Sequence, residues 1–228
     1  MATFEFPGEI SGSQNTNLFE TLGAKIKVIG VGGAGGNAIN SMISENITGV
    51  EFIAINSDFQ DLQKSKSKRV IQIGKNIAKG LGVGGDPSLG SECAKADQNE
   101  ITDALQGADM VFITAGMGGG TGTGASPVVA KLARDAGALT IAIVTKPFEF
   151  EANKRITQAD SGINDLTKEV DSIIVIPNDR LKEVQQISGI ADSFKAADSV
   201  LTKAVRGISD IIVGSGFINV DFADVKKI

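Results

Sequence analysis

Five glycines and two threonines stand unbroken at Gly118-Gly119-Gly120-Thr121-Gly122-Thr123-Gly124. Such a run leaves almost no side chain between the backbone and whatever it faces. Apolar residues from Ala108 to Thr114 precede it and read as a buried parallel strand. After it, Ser126 to Ala136 carries a helical pattern, with Pro127 in the first turn and Gly137 as the stop. A strand, a bare turn and a helix N-terminus form an anion site, because unpaired N–H groups and the positive end of the helix dipole converge there. A flexible linker is the plainer reading, but linkers are not framed so closely by a strand and a helix.

A second glycine-rich turn repeats the arrangement. Lys25 to Val31 is β-branched and apolar, Gly30-Val31-Gly32-Gly33-Ala34-Gly35-Gly36-Asn37 follows, and Ala38, Ile39, Met42 and Ile43 then mark a helix face. Gly30, Gly32 and Gly35 satisfy GxGxxG after a strand and before a helix. Alone this points to a dinucleotide site, with Asp58 near the end of the second strand as the ribose acid. A dinucleotide half-domain needs one such turn, however, and this chain has two, after the first and fourth expected strands. Two turns closing on one phosphate chain suit a nucleoside triphosphate better. The GxxxxGK[ST] loop is absent, so backbone N–H groups must carry the phosphates without a P-loop lysine.

The elements that must position these turns are expected as strands Lys25–Val31, Val50–Asn56, Arg69–Ile73, Ala108–Thr114, Leu139–Thr145 and Ser172–Ile176, alternating with helices. That order predicts an α/β fold: a doubly wound, mostly parallel, Rossmann-like sheet with helices on both faces. Both glycine turns, Thr145-Lys146-Pro147-Phe148 and Pro177-Asn178-Asp179 then share the carboxyl rim of the sheet, where ligands bind. Gly80 to Gly90, with five glycines, reads as a mobile loop or a phosphate lid. Phe194, Ala197, Leu201, Ala204, Val205, Ile208 and Ile212 predict one long helix over 191–213, a central strut. The expected organisation is a disordered tail over 1–21, a nucleotide-binding domain over 22–190, the long helix, and an acidic loop with the start of a further helix over 214–228.

Composition narrows the chemistry. The 228 residues carry a net charge of −5 with scattered basic residues, which argues against nucleic acid as a partner. There is no apolar run of membrane-span length and no secretion signal, so no direct membrane insertion is expected. One cysteine and no histidine fit a reducing, cytoplasmic setting. They also leave no metal site built from protein side chains. Catalysis falls to carboxylates, cations, backbone dipoles or a bound Mg²⁺.

Taken together, Gly33-Ala34-Gly35-Gly36-Asn37, the GGGTGTG run, Thr145-Lys146-Pro147-Phe148, Ile176-Pro177-Asn178-Asp179 and Asn219-Val220-Asp221-Phe222-Ala223-Asp224 resemble the FtsZ family, the bacterial tubulin-like division GTPases. The resemblance runs from about Lys25 to the C-terminus. It implies GTP or GDP as ligand with Mg²⁺, and hydrolysis linked to head-to-tail self-assembly. It also implies a cytokinetic ring at mid-cell, with division proteins and membrane anchors as further partners. By the same resemblance Gly33, Ala34, Gly35, Gly36 and Asn37 form the first nucleotide turn. Gly118, Gly119, Gly120, Thr121, Gly122 and Thr123 form the second. Glu151 and Arg155 lie near the ribose and base, where their four-residue spacing equally describes an ion pair on one helix face. Asn178 and Asp198 contact guanine, and Phe194 flanks it, although a core phenylalanine is the plainer reading of that position. Asn219, Asp221 and Asp224 complete the hydrolytic site of the next subunit, although such a loop more often caps a helix.

Two departures stand out. Ala152-Asn153 replaces a commonly Gly-basic pair, and the family's C-terminal domain is not in the sequence, which implies the nucleotide-binding half with little turnover of its own. A split site also follows from length. Asp198 to Gly214 spans roughly 24 Å of helix at 1.5 Å per residue, so Asp221 is expected to serve a neighbouring molecule. A heterologous contact of that kind runs on as a filament. A Rossmann-type oxidoreductase and a nucleotide-binding module without activity remain the alternatives.

Overall fold

The computed structural model of the protein describes residues 24–181 and 189–213, with side chains through 207. The expected tail over 1–21 and acidic loop over 214–228, with Asn219, Asp221 and Asp224, lie outside the described residues.

Six strands form one parallel sheet: β1 (Ile26–Val31), β2 (Val50–Asn56), β3 (Arg69–Gln72), β4 (Met110–Gly116), β5 (Leu139–Lys146) and β6 (Ser172–Pro177). Their order is β3-β2-β1-β4-β5-β6. The chain builds outward to one side from β1 and to the other from β4. The switch in direction therefore lies between these two strands, and it opens a crevice at their carboxyl ends. Both glycine-rich turns leave the sheet at that point.

The helices are α1 (Gly32–Ser44), α2 (Phe59–Gln63), α3 (Pro87–Ala96), α4 (Gln98–Leu105), α5 (Thr121–Asp135), α6 (Asn153–Thr167) and α7 (Ile190–Val213). They cover both faces, so the central strands are mostly apolar; all six residues of β1 are buried, Lys27 among them with its Nζ donating to the Ala104 carbonyl. Alternation along the strands sorts side chains between two cores. Ile29, Val31, Ile113 and Val144 face Cys93, Ile101, Val129 and Ala159 from α3 to α6. Val28, Met110, Phe112 and Ile143 meet Ala38 and Met42 of α1 and Leu201 and Val205 of α7. The strut expected over 191–213 is thus a helix whose apolar stripe packs on the sheet beside α1.

Three local expectations change. Helix α5 begins at Thr121, inside the glycine run, not at Ser126, and Pro127 lies in its second turn. Glycine disfavours helix intrinsically, but packing decides here. A Cβ at Gly122 would lie 2.7 Å from the Gly116 carbonyl oxygen, and one at Gly124 would overlap the Pro87 carbonyl. Helix α1 likewise begins at Gly32, so Gly35, Gly36 and Asn37 belong to a helix, not a loop. Finally, Glu151 and Arg155 do not share one helix. Glu151 ends a 3₁₀ turn (Glu149–Glu151), Ala152 breaks the path at φ +88°, and Arg155 lies in α6.

Candidate functional site

At the switch point the two glycine turns touch. Val31 leads directly into Gly32, whose φ of +73° turns the chain into α1. A Cβ on Gly32 would sit 2.8 Å from the Gly122 nitrogen. On the other side Gly118 takes φ +100°, and its N–H donates to Thr123 Oγ1 at 2.8 Å, which ties the second turn together. Neither α1 nor α5 has a side-chain N-cap, and neither carries an acid in its first turn. Two helix N-termini thus present backbone donors at one place, with no side chain competing for them.

They open into a cavity of about 470 Å³, within the range of ordinary ligand pockets, about 300–1,000 Å³. Gly33, Ala34, Gly119, Gly120, Thr121 and Gly122 line it from the two glycine turns. Residues 81–85 of the glycine-rich loop form part of the wall, and Val83 packs against Gly120. Asp58, the expected ribose acid, lines the cavity, but its carboxylate accepts the N–H groups of Gln60 and Asp61 as the cap of α2.

Away from the glycine turns the wall carries an amide, an aromatic ring and a carboxyl, those of Asn178, Phe194 and Asp198. Asn178 is buried and its Oδ1 has no hydrogen-bond partner among the described residues, so a ligand donor is wanted there. Phe194 is half-exposed and meets Phe148 and Phe150 edge-on, at centroid distances of 5.7 and 6.5 Å. Burial pushes the Asp198 carboxyl up to about 6, because low-dielectric surroundings penalise its ionised form. Glu151 accepts from the Phe148 N–H at 2.9 Å and pairs with Arg155 at 2.7 Å.

A larger open groove, about 970 Å³, runs between α3, α5 and α6. Its rim mixes both charges (Lys95, Lys131, Asp135, Asp165), and it holds none of Asn178, Phe194 and Asp198. The smaller cavity, where two helix dipoles and an orphaned amide converge, is the better site.

The Tubulin/FtsZ family, GTPase domain, matches residues 25–186. The chain belongs to the tubulin/FtsZ family. An empty FtsZ dimer from M. jannaschii is 46% identical at a TM-score of 0.89, over 92% of this chain and 62% of that one. A GTPγS-bound CetZ2 protofilament from Haloferax volcanii is 28% identical at 0.77, over 89% and 62%. A GDP-bound CetZ1 monomer from the same organism is 26% identical at 0.72, over 84% and 65%. The chain therefore spans less than two thirds of the length of these tubulin-like structures. Strand order alone does not separate this family from Rossmann oxidoreductases, since both reverse direction at the first strand; the family match does.

Of the residues expected to bind nucleotide in this tubulin/FtsZ domain, eleven line one cavity: Gly33, Ala34, Gly119, Gly120, Thr121, Gly122, Glu151, Arg155, Asn178, Phe194 and Asp198. The other five lie off its wall. Gly35 is a packing glycine, where a Cβ would sit 2.5 Å from the Thr114 carbonyl oxygen. Gly36 and Asn37 face a separate small cavity against α2, and Gly118 and Thr123 hold the turn. Sequence reading missed Asn56 and Asp61 on the wall. Position at the carboxyl end of β2 is the signal that could have found Asn56.

Proposed function

We propose that this chain binds GTP and GDP in the cavity at the β1–β4 switch point with little turnover of its own, and that GTP is hydrolysed where copies assemble. The observation that carries the reading is the meeting of two uncapped helix N-termini at one end of a cavity whose other end holds Asn178, Phe194 and Asp198. The first suits phosphates. The second suits guanine, because an ionised Asp198 accepts from N1–H and the 2-amino group, a pair that adenine lacks. Arg155 and Glu151 would sit beside the ribose.

Among the described residues the cavity wall bears four carboxylates, Asp58, Asp61, Glu151 and Asp198, against one guanidinium, Arg155. A triphosphate entering it therefore depends on backbone donors and on an accompanying cation. Mg²⁺ would suit that role, with Asp58 and Asp61 the wall carboxylates that would help to hold it, and it would supply positive charge to offset that developing on the γ-phosphoryl group. Asn219, Asp221 and Asp224 would orient the attacking water from a neighbouring copy, joining the chains head to tail. The same reading places the protein in the cytoplasm, in a division ring at mid-cell with other division proteins and membrane anchors. The GTPγS-bound protofilament of a 28% identical relative supports self-association.

Ligand-induced thermal stabilisation tests the reading, since a ligand that binds only the folded state raises its apparent stability. GTP and GDP are expected to raise the melting temperature in a concentration-dependent way, while ATP and NAD leave it unchanged. Stabilisation by NAD alone would return the chain to the dinucleotide reading.

A further inference from the structure

Ser57 sits between the cavity residues Asn56 and Asp58, yet it is fully buried and does not line the cavity itself. Its Oγ lies 2.6 Å from Thr121 Oγ1, and either atom could be the donor. Thr121 is the first residue of α5 and does line the cavity. The other threonine of the run is committed elsewhere, because Thr123 Oγ1 accepts from Gly118. Of the two, Thr121 is the hydroxyl at the phosphate end.

Each hydroxyl has one proton and two lone pairs. If Thr121 donates to Ser57, it turns only lone pairs toward the cavity, where a phosphate oxygen would repel them. If Ser57 donates to Thr121, the Thr121 proton is released to point at the anion, and each bond polarises the next. A bound phosphate therefore selects the second orientation.

We propose that Ser57 is a positioning residue that aims the Thr121 hydroxyl at a phosphate oxygen of the bound nucleotide, in a relay from Ser57 Oγ–H to Thr121 Oγ1–H to phosphate. The inference rests on the nucleotide reading above. No covalent bond changes; the relay fixes only where a proton points. It joins the end of β2 to the start of α5 directly, across sixty-four residues of sequence separation, and carries that link on to the ligand.

The test is calorimetric binding of guanosine, GDP and GTP to the parent chain, Ser57→Ala, Thr121→Val and the double variant. Loss of one hydrogen bond predicts that Ser57→Ala weakens GDP and GTP by about three- to tenfold and leaves guanosine unchanged. Because Ser57 acts through Thr121, the double variant is expected to lose no more than Thr121→Val alone. Ser57→Cys, a poorer donor of similar shape, should fall between parent and alanine. Guanosine binding checks that each variant is folded at the site. An equal loss on guanosine, additive losses in the double variant, or unchanged GDP and GTP affinity would each overturn the relay while the nucleotide reading stands. Failure of the parent to bind GDP or GTP would overturn both.

Discussion

Asp198 and Ala152 each hold a conformation or charge state that their surroundings make costly. Burial raises the Asp198 carboxyl from an ordinary value of 3.8 to about 6. The folded chain therefore keeps a proton between pH 4 and 6 that the unfolded chain releases. This group's contribution to stability is present at the acid end and is lost as pH rises through that window. On the proposed reading, guanine binding needs the ionised form and runs the opposite way. Affinity for GDP is expected to be level above about pH 7 and to fall by up to about tenfold per unit below pH 6. Binding titrations of parent and Asp198→Asn across pH 5–8 check this; the variant should bind weakly and without that slope. Ala152 at φ +88° occupies backbone space that a Cβ makes unfavourable. Ala152→Gly should relieve the strain, and denaturant unfolding should show a gain of about 1 kcal/mol. The sequence reveals that glycine is the commoner residue there through the family resemblance, but alanine itself carries no mark of a positive φ. Ser57 is illegible for the same reason, since a serine ending a strand has no pattern that reports its partner.

Glycine runs were the most legible elements, yet their glycines divide into two kinds that only packing distinguishes. A Cβ at Gly35 would lie 2.5 Å from the Thr114 carbonyl oxygen and 2.9 Å from the Gly30 carbonyl carbon, where α1 crosses the sheet. At Gly119 a Cβ meets nothing within 4 Å, although the residue lines the cavity. Gly35→Ala is therefore expected to destabilise the fold by about 1–3 kcal/mol, with little further change in affinity for the molecules that remain folded. Gly119→Ala should melt like the parent and weaken nucleotide binding. Thermal melts paired with GDP titrations separate the two; equal melting temperatures would mean that α1 can shift to accommodate the methyl. All six strands lie within two residues of their expected ends, because hydrophobic runs bounded by glycine define buried parallel strands well. The start of α5 is not legible in the same way. Its first residues are poor helix formers, and contacts with the end of β4 and with Pro87 of α3, far back in the sequence, set their conformation.

Across the whole molecule the nucleotide cavity and the far end of α7 lie well apart. Asp198 is on the wall, and the fifteen residues on to Val213 continue as helix, roughly 22 Å at 1.5 Å per residue. Asn219, Asp221 and Asp224 follow that far end. If these acids act on the γ-phosphate, the economical geometry supplies them to a second copy, so that assembly and hydrolysis share one contact. Turnover per chain should then rise with protein concentration, whereas nucleotide binding should not. Asp224→Ala is expected to keep GTP and GDP affinity, because its own cavity is untouched, and to abolish turnover when it is the only chain present. Mixing it with Asp198→Asn, which binds nucleotide weakly but keeps the acids, should restore turnover, since an Asp198→Asn chain can supply its acid to the intact cavity of an Asp224→Ala neighbour. Phosphate release measured across such mixtures decides the matter. A site complete within one chain gives no more turnover than the two variants show separately, and a shared site gives a rate above that sum.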